Sequence, residues 1–213
     1  DASTAAYEKD LDRLRALLPD VDPVRAVRYR SVDCGSTRWK DVARGLAYSE
    51  QALQAAKDID DRASQARALV CRSNFMMLRD GSRHALPDLD RALEVLKGQG
   101  EPQLEGEILV MRADLRSLIG EQAQAMLDYQ RARAAFRDSG IDHEVDRLLQ
   151  GMAIAYRRMG DYAQAVNYFE QARPQLQAKQ DFEGLAVNLI QLGFLHDEAG
   201  APDKARTAFE QAI

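Results

Sequence analysis

The sequence predicts an all-α fold of antiparallel helix hairpins that repeat about every 40 residues. The first observation is an internal repeat, because GDYAQAVNYFEQA at 160–172 and GAPDKARTAFEQA at 200–212 share their small and aromatic positions. The second is that the same register continues backwards through 120–132, 80–92 and 40–52. The third is that no alternation of apolar and polar residues with a period of two indicates a strand.

Three apolar columns define the second helix of each predicted hairpin. A small residue is followed by a large apolar residue four positions later and by an alanine three positions after that, so all three lie on one helix face. Alanine lets neighbouring helices approach closely, and the large side chain fills the space between them. The columns are Ala85, Ala125, Ala165 and Ala205, then Leu89, Tyr129, Phe169 and Phe209, then Ala92, Ala132, Ala172 and Ala212.

The first helix of each hairpin is predicted upstream, in the strings ILVMRADLRSLIG, RLLQGMAIAYRRMG and VNLIQLGFLHDEAG. These strings end at Gly120, Gly160 and Gly200. Glycine readily adopts the left-handed backbone conformation that commonly ends a helix. Short polar segments such as DSGID and KQDFE separate successive hairpins and supply acidic residues for the next helix start.

These hairpins resemble the tetratricopeptide repeat (TPR), in which Leu, Gly and Tyr of the first helix precede a turn glycine and an A-x3-F…A second helix. The residues that carry the resemblance are Leu189, Leu192, Gly193, Gly200, Ala205, Phe209 and Ala212, and Leu149, Met152, Ala153, Tyr156, Gly160, Ala165, Phe169 and Ala172. The resemblance covers roughly residues 26–213 and implies a right-handed solenoid of stacked hairpins.

The resemblance also predicts how the chain is divided. Residues 1–25 are expected to form a capping helix, near 4–18, and a linker. The TPR array is expected over 26–213 and to continue beyond Ile213. Its predicted repeats lie near 26–65, 66–105, 106–145, 146–185 and 186–213.

Composition narrows the function classes. The 213 residues include 46% hydrophobic and 30% charged residues and carry a net charge of −5, which predicts a folded core and gives no electrostatic footprint for nucleic acid. No apolar run approaches the roughly 20 residues of a membrane helix. Metalloprotease, zinc, phosphate-loop and nucleophile-elbow motifs are missing, so we expect neither enzymatic activity nor a cofactor.

The TPR resemblance implies that the first helices line a concave groove that binds a protein or peptide segment. Counting along each predicted repeat, the groove positions are 2, 5, 6, 9, 12 and 13. They predict a partner-binding set of Arg30, Asn74, Asp114, Arg147, Gln150, Arg157, Arg158 and Gln191. TPR domains that bind the terminal carboxylate of chaperones use a Lys/Asn/Asn/Lys/Arg clamp. Only Asn74 matches that clamp, so we reject this function for the chain.

The arginines of the predicted groove have two interpretations. Arg147, Arg157 and Arg158 could bind an anionic side chain of a partner. Alternatively, they pair with acidic residues of adjacent helices, for which the candidates are Asp114, Asp146, Asp197 and Glu198. Arg72 and Arg112 are different, because their repeat position is normally apolar. With Asp114 and Arg116 close by, we predict an internal, structural ion-pair network.

Cys34 and Cys71 are the only cysteines. They occupy facing positions on the first helices of neighbouring predicted repeats, so a disulfide is geometrically plausible and would stabilise the chain by about 3–4 kcal/mol. The alternative is a pair of reduced, partly buried thiols. We favour the disulfide, which is typical of a periplasmic or extracellular protein.

Two strings carry a narrower resemblance. LVCRSNFMMLRDG at 69–81 and LVMRADLRSLIGE at 109–121 are similar to the N-terminal TPR region of some membrane-bound bacterial diguanylate cyclases. That resemblance implies a periplasmic sensory module, with any cyclase activity in a GGDEF domain outside this chain. The alternative is a cytoplasmic TPR scaffold or peptide-responsive regulator. A homodimer is left open, and no membrane contact is expected within the chain.

Overall fold

The computed structural model describes residues 41–140 and 145–212, and within these ranges every regular element is an α-helix. The helices are α1 Val42–Asp58, α2 Arg62–Asp80, α3 Ser82–Leu96, α4 Pro102–Leu118, α5 Gln122–Ser139, α6 Val145–Arg158, α7 Tyr162–Ala178, α8 Phe182–Glu198 and α9 Pro202–Gln211.

The second helix of each hairpin begins at a fixed interval. These helices are α1, α3, α5, α7 and α9, and their first residues are forty positions apart, at Val42, Ser82, Gln122, Tyr162 and Pro202. Aspartates start several helices, as the sequence predicts. Asp161 and Asp181 accept hydrogen bonds from the backbone N–H groups of Gln164 and Gly184, which satisfies donors that the first turn of a helix leaves open.

The predicted glycines end the first helices. Gly120, Gly160 and Gly200 have φ of 89°, 79° and 71°, in the left-handed region. The following N–H bonds back to the last turn, as when Asp161 N–H donates to the Tyr156 carbonyl at 3.0 Å. This is the hydrogen bond of a Schellman cap. An all-α fold of TPR-type hairpins, about 40 residues each, is therefore confirmed.

The chain divides into two compact units between Gln99 and Gly100. In the described part of unit 1, α1 packs against α2 and α2 against α3. Part of its core is formed by Leu46, Cys71 and Phe75. A Cβ at Gly45 would lie 2.2 Å from the Phe75 ring, so only glycine lets α1 approach α2 this closely.

In unit 2, each helix from α4 to α9 packs against its neighbours along the chain, and α4 also contacts α6. The alanine and aromatic columns are buried in unit 2, except that Phe209 and Ala212 of the last hairpin are half-buried. Phe169 and Leu192 belong to one buried cluster. Tyr156 stacks on Tyr168 with ring centroids 5.3 Å apart. Of the first helices, α4 contacts α6, and Arg157 on α6 donates hydrogen bonds to Gln191 and Glu198 on α8. This arrangement positions the candidate site.

Several sequence-based predictions concern residues outside the ranges that the structure describes. The capping helix near 4–18, Arg30 and Cys34 lie outside the described residues. The division of the chain into the predicted repeats stays a prediction. Among the described helices, none combines the length and apolar character needed to cross a bilayer.

Candidate functional site

A cleft of about 320 Å³ opens on the face formed by α4 and α6. Four of the eight predicted groove residues line it, namely Asp114, Arg147, Gln150 and Arg158. The remaining lining residues are Ser117, Leu118, Tyr129, Gly151 and Ile154. The cleft therefore combines charged groups with the exposed apolar side chains of Leu118 and Ile154.

Asp114 accepts a hydrogen bond from a buried tyrosine on α5. The Tyr129 hydroxyl donates to Asp114 Oδ1 at 2.6 Å, and the Tyr129 ring is buried. Gly151 makes room for this contact, since a Cβ there would lie 2.6 Å from the Tyr129 hydroxyl oxygen. Desolvation raises the pKa of the Asp114 carboxyl, with Tyr129 and Arg147 opposing the shift. Burial and the adjacent Asp114 charge raise the pKa of Tyr129, so the hydroxyl remains a donor.

Arg147 and Arg158 lie about three turns apart on α6, and both line the cleft. Arg147 Nη2 lies 3.7 Å from Asp114 Oδ2, a long ion pair, and the Arg147 side chain is 59% exposed. Arg158 Nη1 donates to Ser117 Oγ at 3.1 Å. A guanidinium has five N–H donors, so these contacts leave most donors of both arginines facing solvent. With one carboxylate and two guanidinium groups, the cleft has a net positive charge.

Arg157 is engaged differently from its neighbour. It donates to Glu198 Oε1 and Oε2 at 2.5 and 3.1 Å and to Gln191 Oε1 at 3.1 Å. The hydrogen bond to Glu198 raises the pKa of Arg157 and lowers that of the Glu198 carboxyl. Of the two interpretations of the arginines, pairing with an adjacent helix therefore applies to Arg157. Its hydrogen bonds to Glu198 and Gln191 join α6 to α8. Asp146 pairs with Lys179 instead.

A family model of the tetratricopeptide repeat matches residues 128–178 and 144–213. The chain resembles TPR proteins over residues 128–213. No curated protein matches it.

Solved structures share the fold at low identity. BtubC from P. vanneervenii matches with a TM-score of 0.83 and 18% identity, over 98% of this chain and 87% of that one. A Signal Transduction ATPase with Numerous Domains (STAND) protein with a TPR sensor, from Pyrococcus horikoshii, matches with a TM-score of 0.73 and 18% identity, over 97% of this chain. This chain spans 35% of that protein. A Rap protein complexed with Competence and Sporulation Factor matches with a TM-score of 0.71 and 14% identity, over 88% and 52% of the two chains.

Among the described residues, the other members of the predicted groove set do not line this cleft. Asn74 lies half-buried on α2 in unit 1. Arg30 lies outside the described residues. The partner-binding role of the whole set stays a prediction.

The predicted internal ion pairs are confirmed, with different carboxylates from the one expected. Arg72 makes a bidentate pair with Asp88, at 2.8 and 2.5 Å. Arg112 makes the same pair with Asp128, at 2.9 and 2.6 Å, and Arg116 donates to Asp128 at 2.7 Å. Asp114 is not a member, because Tyr129 holds it in the cleft. The signal missed in the sequence is an arginine followed 16 residues later by an aspartate in two successive helix hairpins.

Cys71 is buried on α2 and is disulfide-bonded. Cys34 is the other cysteine of the chain. Because Cys34 lies outside the described residues, the Cys34–Cys71 pairing is kept as a proposal.

Proposed function

We propose that the chain is a non-catalytic protein-interaction module whose α4–α6 cleft binds an acidic side chain of a partner peptide. The observation that carries the proposal is the pair of Arg147 and Arg158, whose donors face solvent beside exposed Leu118 and Ile154. Bidentate guanidinium–carboxylate pairing supplies orientation as well as affinity. The apolar wall supplies contact area that excludes water from that pair.

The test uses the full chain and peptides selected from a random dodecapeptide display library. We expect the selected peptides to be enriched in Asp and Glu. Arg147→Glu combined with Arg158→Glu should weaken their binding by about tenfold or more, since like charges replace opposite ones. The matched control is Arg131→Glu with Arg206→Glu, because both control arginines are exposed on second helices away from the cleft. Equal binding by the charge-reversed cleft contradicts the proposal.

The wider context belongs to the same proposal. We infer a sensory or regulatory part of a larger bacterial signalling protein, of the diguanylate cyclase type, in the periplasm. The similarity of residues 69–81 and 109–121 to such TPR regions supports it, as does the disulfide-bonded state of Cys71. Mass analysis of the alkylated chain, with and without prior reduction, is expected to show Cys34 and Cys71 protected until reduction. Two thiols that react without reduction count against the periplasmic setting.

A cytoplasmic peptide-responsive regulator is the second candidate. The observation that favours it is the likeness to a Rap protein bound to Competence and Sporulation Factor. Sequencing the coding region on both sides of the chain separates the two candidates. A leader upstream with a membrane helix and a GGDEF domain downstream supports the first, whereas an uninterrupted cytoplasmic reading frame supports the second. Light scattering of the purified chain tests the homodimer left open above.

A further inference from the structure

The hydrogen bonds between α4 and α6 and between α6 and α8 follow the same spacing. Arg158 bonds to Ser117, and Arg157 bonds to Glu198, and each of these bonds joins residues 41 positions apart. The two helix pairs therefore share one register. A position that lines the α4–α6 cleft has its counterpart forty residues later on the α6–α8 face.

The chemistry of the counterparts is different. Asp114, Arg147, Gln150 and Ile154 are replaced, forty residues on, by Ile154, Val187, Ile190 and Phe194. Tyr129, which bonds Asp114, is replaced by Phe169, whose ring has no hydroxyl to donate. The polar pair and its hydrogen-bond donor thus change together into apolar side chains.

These apolar side chains are accessible on the described structure. Val187, Ile190 and Phe194 are 47%, 37% and 46% exposed, and they follow one another at helical spacing along α8. Phe194 is supported from below by an edge contact with Phe209, with centroids 5.4 Å apart. The Arg157–Glu198 ion pair lies at the C-terminal end of this stripe.

Resting on the function proposed above, we infer that Ile154, Val187, Ile190 and Phe194 form an apolar subsite for a second side chain of the same partner peptide. Ile154 belongs to both places, because it lines the charged cleft and begins the apolar set. The occupant is therefore an extended segment that carries an acidic residue and a large aliphatic or aromatic residue. Charge complementarity places the acid at Arg147 and Arg158, and continuity across Ile154 places the apolar residue on α8.

The spacing of the two side chains follows from helix geometry. Adjacent packed helices lie about 8–10 Å apart, and an extended chain rises about 3.3 Å per residue. One hairpin step therefore corresponds to about three residues of peptide. The expected partner motif is an Asp or Glu separated by three positions from Phe, Leu, Ile or Met, in either chain direction.

The experiment selects random dodecapeptides on the full chain and measures synthetic copies by fluorescence anisotropy. We expect the acidic and apolar residues to be enriched together at a separation of three. Val187→Glu with Ile190→Glu should weaken the selected peptide by about tenfold or more, since a charge replaces apolar contact. Leu127→Glu is the matched control, because Leu127 is an exposed leucine on a second helix. It should leave affinity within about twofold, since surface contacts away from a binding site contribute little.

The outcomes separate this inference from the function on which it rests. Acidic peptides that bind without an apolar residue, or that bind the Val187→Glu/Ile190→Glu protein unchanged, overturn the apolar subsite and leave the charged cleft intact. Peptides with an apolar residue at other separations also overturn the subsite geometry. Selection of no acidic peptide overturns the proposed function itself.

Discussion

Removing the carboxylate of Asp128 is expected to destabilise the protein more than any other single loss of a charge in the described structure. Asp128 accepts three hydrogen bonds from two guanidinium groups, at 2.9, 2.6 and 2.7 Å. The Arg112 and Asp128 side chains are only 9% and 2% exposed. Asp128→Ala therefore removes a carboxylate to which both guanidinium groups donate, while the Arg112 side chain stays buried.

The size of the effect follows from burial. Breaking a buried ion pair from one side costs about 3–5 kcal/mol of unfolding free energy, because the remaining charge stays desolvated. Asp88→Ala removes one bidentate pair in which Arg72 is more accessible, at 27%. Hydrogen bonds to charged groups contribute about 1.5–3 kcal/mol, so the Asp88 loss should be the smaller of the two.

Urea unfolding followed by circular dichroism measures both losses. Asp203→Ala is the control, because its pair with Arg206 is largely exposed and should contribute about 0–1 kcal/mol. A loss below about 1 kcal/mol for Asp128→Ala would refute the reasoning, since it would mean that solvent reaches the pair.

A second test replaces the three residues of this ion-pair network by the residues at the equivalent positions of the next hairpin. The counterparts of Arg112, Arg116 and Asp128 are Met152, Tyr156 and Tyr168, of which the two tyrosines stack. Replacing a buried ionic set by well-packed apolar residues is often neutral or stabilising, and Tyr156 and Tyr168 already pack together one hairpin later. The triple variant Arg112→Met, Arg116→Tyr and Asp128→Tyr should therefore recover most of the stability that Asp128→Ala loses.

Three further outcomes are expected. Gly106→Ala should destabilise by about 1–3 kcal/mol in urea unfolding, because its Cβ would lie 2.6 Å from the buried Phe136 ring, and adding Phe136→Leu should recover part of the loss. Gln180→Gly should raise the melting temperature and stabilise by about 0.5–1 kcal/mol, because Gln180 has φ 55°, and an unchanged melting temperature argues against strain there. For Asp114→Asn the prediction concerns pH, because burial raises the pKa of Asp114. The folded state therefore holds the Asp114 proton more tightly than the unfolded state. As pH rises through the carboxyl range, from about 3 to 6, the unfolding free energy of the wild type should fall relative to that of this variant. A difference in unfolding free energy that does not change with pH would contradict this.

The helical framework could be predicted because it depends on local signals. The alanine and aromatic columns and the glycines at 120, 160 and 200 each act within one hairpin, and a forty-residue comparison reveals them. The turn at Gln180 gives no such signal, since it has a left-handed φ without glycine. Its position in the repeat, not its residue type, determines its conformation.

The partners of charged side chains were harder to predict, because they depend on which helix faces meet. Arg72 and Arg112 indicate a buried cation, but only the hairpin packing brings Asp88 and Asp128 to them. Arg157 and Arg158 are adjacent in sequence and have different surroundings, one bonded to Glu198 and the other open to the cleft. A groove position alone therefore does not distinguish a binding residue from a structural one.

The repeat determines where equivalent side chains lie but not which residue types occupy those positions. The same fold can therefore present a charged subsite in one hairpin and an apolar one in the next. The positions of Asp114 and Arg147 carry opposite charges, and the same positions one hairpin later carry Ile154 and Val187. The residue behind this position changes as well. Tyr129 donates a hydrogen bond to the half-buried Asp114 carboxylate, whereas Phe169 lies forty residues on, where Ile154 needs no donor. The register of the helices is the same in both helix pairs, because the Arg158–Ser117 and Arg157–Glu198 hydrogen bonds each join residues 41 positions apart. We therefore expect partner choice in this chain to depend on pairs of positions on adjacent first helices. A single substitution within a pair should disrupt a subsite, whereas a matched double substitution should convert it.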